Sequence, residues 1–62
     1  MSEVEKARAK LDEYKRTGDP KAWRAADRWV GKAFDAAMQI NDHATLDALS
    51  PIVAEMRQIA EM

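Results

Sequence analysis

The sequence predicts an all-α protein, a small antiparallel three-helix bundle that forms a single domain over residues 1–62. Three observations favour this class. The 62 residues include only two glycines and two prolines, so turns are few and the elements between them are long. Apolar residues recur at spacings of three and four, the period of an amphipathic helix, and no stretch alternates as a strand does. A chain of this length forms one domain at most.

The first helix is expected over residues 3–17. Ser2 stands three residues before Glu5, which is the spacing of a capping box at a helix N-terminus. The apolar residues of this segment form one narrow stripe, namely Val4, Ala7, Leu11 and Tyr14. Charged residues at helical spacing surround the stripe, so we expect a solvent-facing helix that contributes little stability. It either completes the bundle or docks loosely on a hairpin formed by the other two helices.

The second helix is expected over residues 20–40. Gly18 suits the left-handed position after a helix, Asp19 can cap the next one, and Pro20 fits its first turn. Apolar residues of this segment cover about half of the helix circumference. Because a face that wide needs neighbours on two sides, this helix is predicted to be the centre of the fold.

The third helix is expected over residues 43–61, after a break at which Asn41 or Asp42 ends one helix or caps the next. Pro51 could interrupt it. The apolar arc nevertheless keeps its phase across the proline, and Pro51 falls on the polar side. We therefore expect one helix kinked at Pro51. The alternative is a break, with a second short helix capped by Ser50.

Charge and composition exclude several classes of function. The net charge of −1 argues against a dedicated nucleic-acid or membrane binder, and no apolar run is long enough to span a bilayer. Without cysteine, disulfides and thiolate zinc sites are excluded. The first residues lack the basic and apolar regions of a signal peptide, so the cytoplasm is the expected location, and the lack of cysteine is compatible with it. Residues 1–32 carry nine basic and six acidic side chains, whereas residues 33–62 carry one and five. These opposite charges either cancel within the fold, or form a polarised surface that steers a partner or drives head-to-tail self-association.

Catalytic and metal-binding groups are scarce. The chain has no thiol and one imidazole, His43, which is expected on the polar side of a helix start. Asp42, His43 and Asp47 are the only cluster with ligand spacing, and two or three exposed ligands bind a metal weakly. We therefore predict no enzyme, no catalytic residue, no metal or other cofactor, and no small-molecule substrate.

The leading functional prediction is a non-enzymatic interaction module. The second helix presents an apolar face too wide for one neighbour, while the first helix offers few large side chains to cover it. If the first helix docks fully, the monomer closes and little apolar surface is left over; if it does not, a second chain would complete the core of so small a scaffold. The module is expected to form a homodimer or higher oligomer, to bind a protein partner, or both. The residues predicted to carry this contact are Trp23, Trp29, Phe34 and Met38.

Two other functions stay open. The polar face of the second helix carries a basic row, which consists of Lys21, Arg24, Arg28 and Lys32. This row could contact phosphates or an acidic partner, with Trp29 at its edge to stack on a base, so a nucleic-acid-binding accessory protein is the first alternative. A solvated face that pairs with acidic residues of a neighbouring helix or subunit explains the same row. The second alternative is a small inhibitor or regulator that occludes a site on a larger protein.

Overall fold

A computed structural model describes residues 2–61, and these residues form three α-helices joined by short connections. Helix α1 spans Glu3–Thr17, α2 spans Pro20–Ile40 and α3 spans His43–Ala60. The three helices pack against one another, and no strand occurs within the described residues. The predicted all-α three-helix bundle is therefore confirmed, with helix bounds within one residue of those expected.

The two ends of the bundle show that neighbouring helices are antiparallel. At one end, Val4 near the start of α1 lies beside Ile40 at the end of α2 and Thr45 in the first turn of α3. At the other end, Tyr14 near the end of α1 lies beside Pro20 at the start of α2 and the last turn of α3. Helices α1 and α3 consequently run in the same direction, and α2 runs against both.

The predicted capping residues begin each helix. Ser2 Oγ accepts a hydrogen bond from the amide of Glu5 at 3.2 Å, and Asp19 Oδ1 accepts one from the amide of Lys21 at 2.9 Å. Asp42 caps α3 in the same way. Each of these bonds satisfies an amide that has no partner inside its own helix, which is why short polar residues stand at these positions.

Left-handed residues end α1 and α2. Gly18 has φ of 73° and donates its amide to the carbonyl of Tyr14 at 2.7 Å. Asn41 has φ of 54°, and the following amide, that of Asp42, bonds the carbonyl of Ala37 at 2.8 Å. This pattern closes the end of α2 in the manner of a Schellman motif. Both residues of the second break are therefore used, since Asn41 ends one helix and Asp42 caps the next.

Helix α3 runs through Pro51 as one continuous helix, so the alternative of a break capped by Ser50 is wrong. Pro51 is exposed, whereas Leu49 and Ile52 on either side of it are buried. Proline cannot donate to the carbonyl of Asp47 four residues earlier. Because the missing bond lies on the solvent side, water can satisfy that carbonyl and the helix continues.

The core contains mostly small residues. Among residues 2–61 the buried hydrophobic side chains are Ala7, Leu11, Ala22, Ala26, Ala33, Ala37, Leu49, Ile52 and Met56. Alanines are the majority, and most of them belong to α2. Their small side chains let the backbones of two helices come close together. The most extensive packing in the bundle is accordingly between α1 and α2.

This close contact corrects the expectation for α1. A loosely docked first helix is wrong, because Ala7 and Leu11 are fully buried and Val4 packs against the same cluster. Leu11 is one of the two largest fully buried side chains, together with Ile52 of α3. Large apolar residues on α1 are few, but its alanine lets the helices approach closely, and close approach increases the number of van der Waals contacts. The first helix therefore closes the bundle, and of the four residues predicted to need a second chain only Phe34 and Met38 stay exposed.

Candidate interaction surface

A concave surface formed by α2 and α3, here named the α2–α3 groove, is the candidate site. It is lined by Asp27, Val30 and Phe34 of α2 and by Leu46, Val53 and Arg57 of α3. No described residue of α1 lines it. The middle of the groove is apolar, and one oppositely charged side chain stands on each wall at one end.

Phe34 and Met38 are the large apolar residues that the fold leaves open on this side. Their exposed fractions are 49% and 52%, respectively. Met38 follows Phe34 by one helical turn and therefore extends the same wall of the groove. Ile40 is more exposed, at 74%, but it lies beside Val4 at the opposite edge of α2. It therefore serves as a reference for exposure outside the groove.

Trp23 is half-buried and belongs to the contact between α1 and α2. Its ring meets Tyr14 edge-on, with the two centroids 5.0 Å apart and the planes inclined at 62°. Aromatic pairs prefer this geometry because the positive edge of one ring faces the negative face of the other. One side of Trp23 also reaches the end of the α2–α3 groove, beside Val53 and Met56.

Trp29 is half-buried on the edge of α2 that faces α1. The ammonium group of Lys6 lies 4.4 Å from the ring centroid, and that of Lys32 lies 5.0 Å from it. Both distances fall within the range of cation–π attraction. Since two ammonium groups cover its ring, Trp29 is poorly placed to stack on a nucleic-acid base.

The structure therefore separates the four residues predicted to contact a partner. Phe34 lies on one wall of the α2–α3 groove, Met38 is exposed one helical turn further along α2, and Trp23 lies at the end of the groove. Trp29 lies on the other edge of α2, beneath Lys6. The opposite wall of the groove, on α3, was missed. The sequence feature that could have indicated this wall is the breadth of the apolar arc on α3, which includes the partly buried Leu46 and Val53 beside the buried positions.

All four residues of the basic row are exposed, as the sequence predicts. Within the described part of the chain, none of them lies within 4.0 Å of a carboxylate oxygen. The row is interspersed with Asp27 and Asp35, which are also exposed. Between residues 2 and 61 the row therefore forms no ion pair with a neighbouring helix, and pairing with another subunit stays a prediction.

Basic residues of α1 form the pairs between helices instead. Glu55 of α3 accepts hydrogen bonds from Lys15 and, at 2.6 Å, from Arg8. These bonds lower the pKa of the Glu55 carboxyl below its ordinary value, and the bond from Lys15 has the larger effect. Arg8 also lies 3.8 Å from Asp12 on its own helix. The opposite charges of the first and third helices therefore partly cancel inside the fold.

The three residues considered for metal binding, Asp42, His43 and Asp47, lie at or near the start of α3, where Asp42 caps the helix. Asp42 accepts hydrogen bonds from the hydroxyl of Thr45 at 2.6 Å and from the Thr45 amide at 3.1 Å. These bonds lower the pKa of the Asp42 carboxyl. His43 and Asp47 are exposed. Between residues 2 and 61 no three His, Cys, Asp or Glu side chains converge as a metal site would require.

Comparison of the chain with protein-family models, with curated proteins and with solved structures finds no match. In the described part of the chain, no helix has both the length and the apolar character needed to cross a bilayer. Function is therefore inferred from the chemistry of the surfaces, and the α2–α3 groove combines the half-exposed ring of Phe34 with one oppositely charged side chain on each wall.

Proposed function

We propose that this chain is a non-enzymatic helical interaction module that self-associates through the α2–α3 groove. The observation that supports the proposal is the exposure of Phe34 and Met38 beside that groove. Large apolar side chains grouped at the rim of a concave surface are typical of sites that bind another protein. A helix pair laid on the groove would cover both residues.

The size of the core gives a second reason for self-association. A domain of this length buries only about 60% of the surface that its unfolded chain exposes, so an added interface strengthens it considerably. Complete burial of a phenylalanine stabilises by about 1.5–3 kcal/mol. Since Phe34 is already half-covered, covering the remainder gives about 1 kcal/mol for each copy. A symmetric dimer gains this twice.

The chemistry of the chain supports a role without catalysis. There is no cysteine, and the one histidine, His43, is exposed at a helix start without a nucleophile beside it among the described residues. The hydroxyl oxygen of Ser2 caps α1, and the hydroxyl of Thr45 donates to Asp42, the capping residue of α3. The lack of cysteine also agrees with a reducing compartment, and we include the cytoplasm in the proposal on that ground.

Sedimentation equilibrium over a range of concentrations tests the proposal. We expect a reversible dimer, and we expect Phe34→Ala to raise its Kd by roughly 30-fold, which corresponds to about 2 kcal/mol. The control is Ile40→Ala, which removes a more exposed side chain outside the groove and should change Kd less than about threefold. A chain that stays monomeric at several hundred micromolar would refute the proposal, as would equal effects of the two variants.

A second candidate function is binding of a polyanion by the basic row. The observation that favours it is that Arg8 and Lys15 of α1 are paired with Glu55, whereas Arg24 and Arg28 are exposed without a carboxylate within 4.0 Å in the described chain. Such binding weakens steeply as salt is added, because each phosphate contact releases counterions.

A single-stranded oligonucleotide tests this candidate by fluorescence anisotropy at several salt concentrations. The double variant Arg24→Glu, Arg28→Glu should lose binding, and the double variant Lys10→Glu, Arg16→Glu, which makes the same charge change on α1, should keep most of it. If the first variant binds as well as the parent chain, the basic row has no such function.

A further inference from the structure

We infer that the α2–α3 groove is occupied by a second copy of this chain, placed so that α2 of each copy lies on α3 of the other. The inference rests on the proposed self-association, and it adds the orientation of the two copies and the residues that determine it. The two helix pairs would then form a four-helix core in which every neighbouring helix is antiparallel, with one α1 on each outer side.

The charged residues of the groove distinguish the two face-to-face arrangements that a two-fold axis permits. In one arrangement each helix packs on its own counterpart, and in the other α2 packs on the partner's α3. The α2 wall of the groove carries the acidic Asp27, and the α3 wall carries the basic Arg57. The charge of Glu55 on α3 is already paired with Arg8 and Lys15 of α1 and does not act across the groove. Only the second arrangement sets the wall with Asp27 against the partner's Arg57, and it is therefore favoured.

Asp27 and Arg57 set the register in this arrangement. They stand on opposite walls at the same level of the groove, beside Val30 and Val53. Both are exposed, and they do not form an ion pair with each other at 4.0 Å or less. A two-fold axis along the groove places equal levels opposite each other. Asp27 of each copy therefore meets the partner's Arg57, and the contact occurs twice.

The apolar part of the groove fits the same arrangement. Phe34 lies at the level of Ser50 and Ala54, which are small and exposed on the α3 wall. In the dimer, the half-exposed ring of Phe34 is set against the partner's Ser50 and the partner's Ala54. Because these side chains are short, they leave space for a ring, as a knob requires a hole.

Two charge-reversal variants test the register by complementation. Asp27→Lys places two positive groups at each contact of its homodimer, and Arg57→Glu places two negative groups there. We expect each variant alone to dimerise at least about tenfold more weakly than the wild type, because like charges then face each other. In an equimolar mixture, however, Lys meets Glu at one contact and Asp meets Arg at the other. The mixture should therefore form a heterodimer with a Kd within about threefold of the wild-type value.

Sedimentation equilibrium gives the affinities, native mass spectrometry identifies the heterodimer, and far-UV circular dichroism verifies that each variant is folded. The matched controls are Glu5→Lys and Arg16→Glu, which make the same charge changes at exposed positions of α1. Each control should dimerise with the wild-type Kd, and a mixture of the two controls should dimerise with nearly the same Kd as each control alone.

The outcomes separate this inference from the proposed function. The orientation is wrong, while self-association stands, if the wild type dimerises and either variant alone has a Kd within threefold of the wild-type value. The same conclusion follows if mixing the two variants fails to restore the wild-type Kd. Equal losses in the α1 controls would also overturn the orientation. A wild-type chain that is monomeric at several hundred micromolar overturns both proposals and leaves the groove to another protein.

Discussion

Replacing Leu11 by alanine tests how firmly α1 belongs to the core. Leu11 is fully buried in a cluster with Ala7, Ala26, Ile52 and Met56. The substitution removes three carbon atoms, worth about 0.8 kcal/mol each by transfer from water. The alanine neighbours are too short to fill the space, so a cavity term adds to the loss, and we expect about 3 kcal/mol in total.

That loss is large for a domain of this size. At roughly 0.05–0.15 kcal/mol per residue, the whole domain is stable by about 3–9 kcal/mol, so Leu11→Ala should remove a third or more of the total. Urea denaturation followed by far-UV circular dichroism measures it directly. In a thermal scan the midpoint should fall by roughly 10–25 °C. Protein concentration has to be kept below the Kd of the dimer, because dimerisation stabilises the folded state.

The matched control is Ile40→Ala, whose side chain is 74% exposed. It should change the free energy of unfolding by less than about 0.5 kcal/mol. A loss below about 1 kcal/mol for Leu11→Ala, with an unchanged dependence on urea, would refute the reasoning, because Leu11 would then not be enclosed by α2 and α3 in solution.

The other predictions concern the backbone and one carboxyl group. Gly31 is helical with nothing within 4 Å of an added Cβ, so Gly31→Ala should raise the free energy of unfolding in urea by about 0.5–1 kcal/mol. Gly18 also has open space, yet its φ of +73° makes Gly18→Ala destabilising by about 1 kcal/mol. Pro51→Ala restores a helical hydrogen bond at an exposed position, so we expect it to raise the free energy of unfolding by about 2 kcal/mol in a thermal scan. A lower free energy of unfolding would mean that the proline is needed for the packing of the core. The lowered pKa of Glu55 means that its contribution to stability is present at neutral pH and is lost as the pH falls below ~4.3, the pKa of an unfolded glutamate. Glu55→Gln should therefore flatten the acid limb of a plot of unfolding midpoint against pH, and an unchanged limb would contradict this.

The positions of the helices could be predicted because their determinants are local. Gly18 and Asp19 end one helix and begin the next through bonds that reach no further than four residues. Asn41 and Asp42 do the same at the second break. The continuity of α3 followed from the phase of its apolar residues, since Pro51 occupies the solvent side.

The candidate site was predictable only in part, because it depends on how the helices are rotated and which neighbours they meet. Periodicity places Trp29 and Phe34 on one broad apolar arc. It does not reveal that Lys6 of α1 covers the first ring while the second stays half-exposed. The pairing of Lys15 with Glu55 spans most of the chain and has no local signal.

The alanine contact between α1 and α2 limits how this sequence can vary. A position such as Ala26, which has no exposed surface, can accept little but glycine or serine, because extra methylene groups would push the two backbones apart at a cost of about 1–3 kcal/mol or more. Phe34, by contrast, is only half-buried in a single copy, so substitutions there cost less folding stability than at Ala26 and are restricted more strongly when a partner is present. The positions restricted by folding and the positions restricted by assembly should therefore lie on opposite sides of α2. A mutational screen that measures first folding and then association would separate these two roles of the helix.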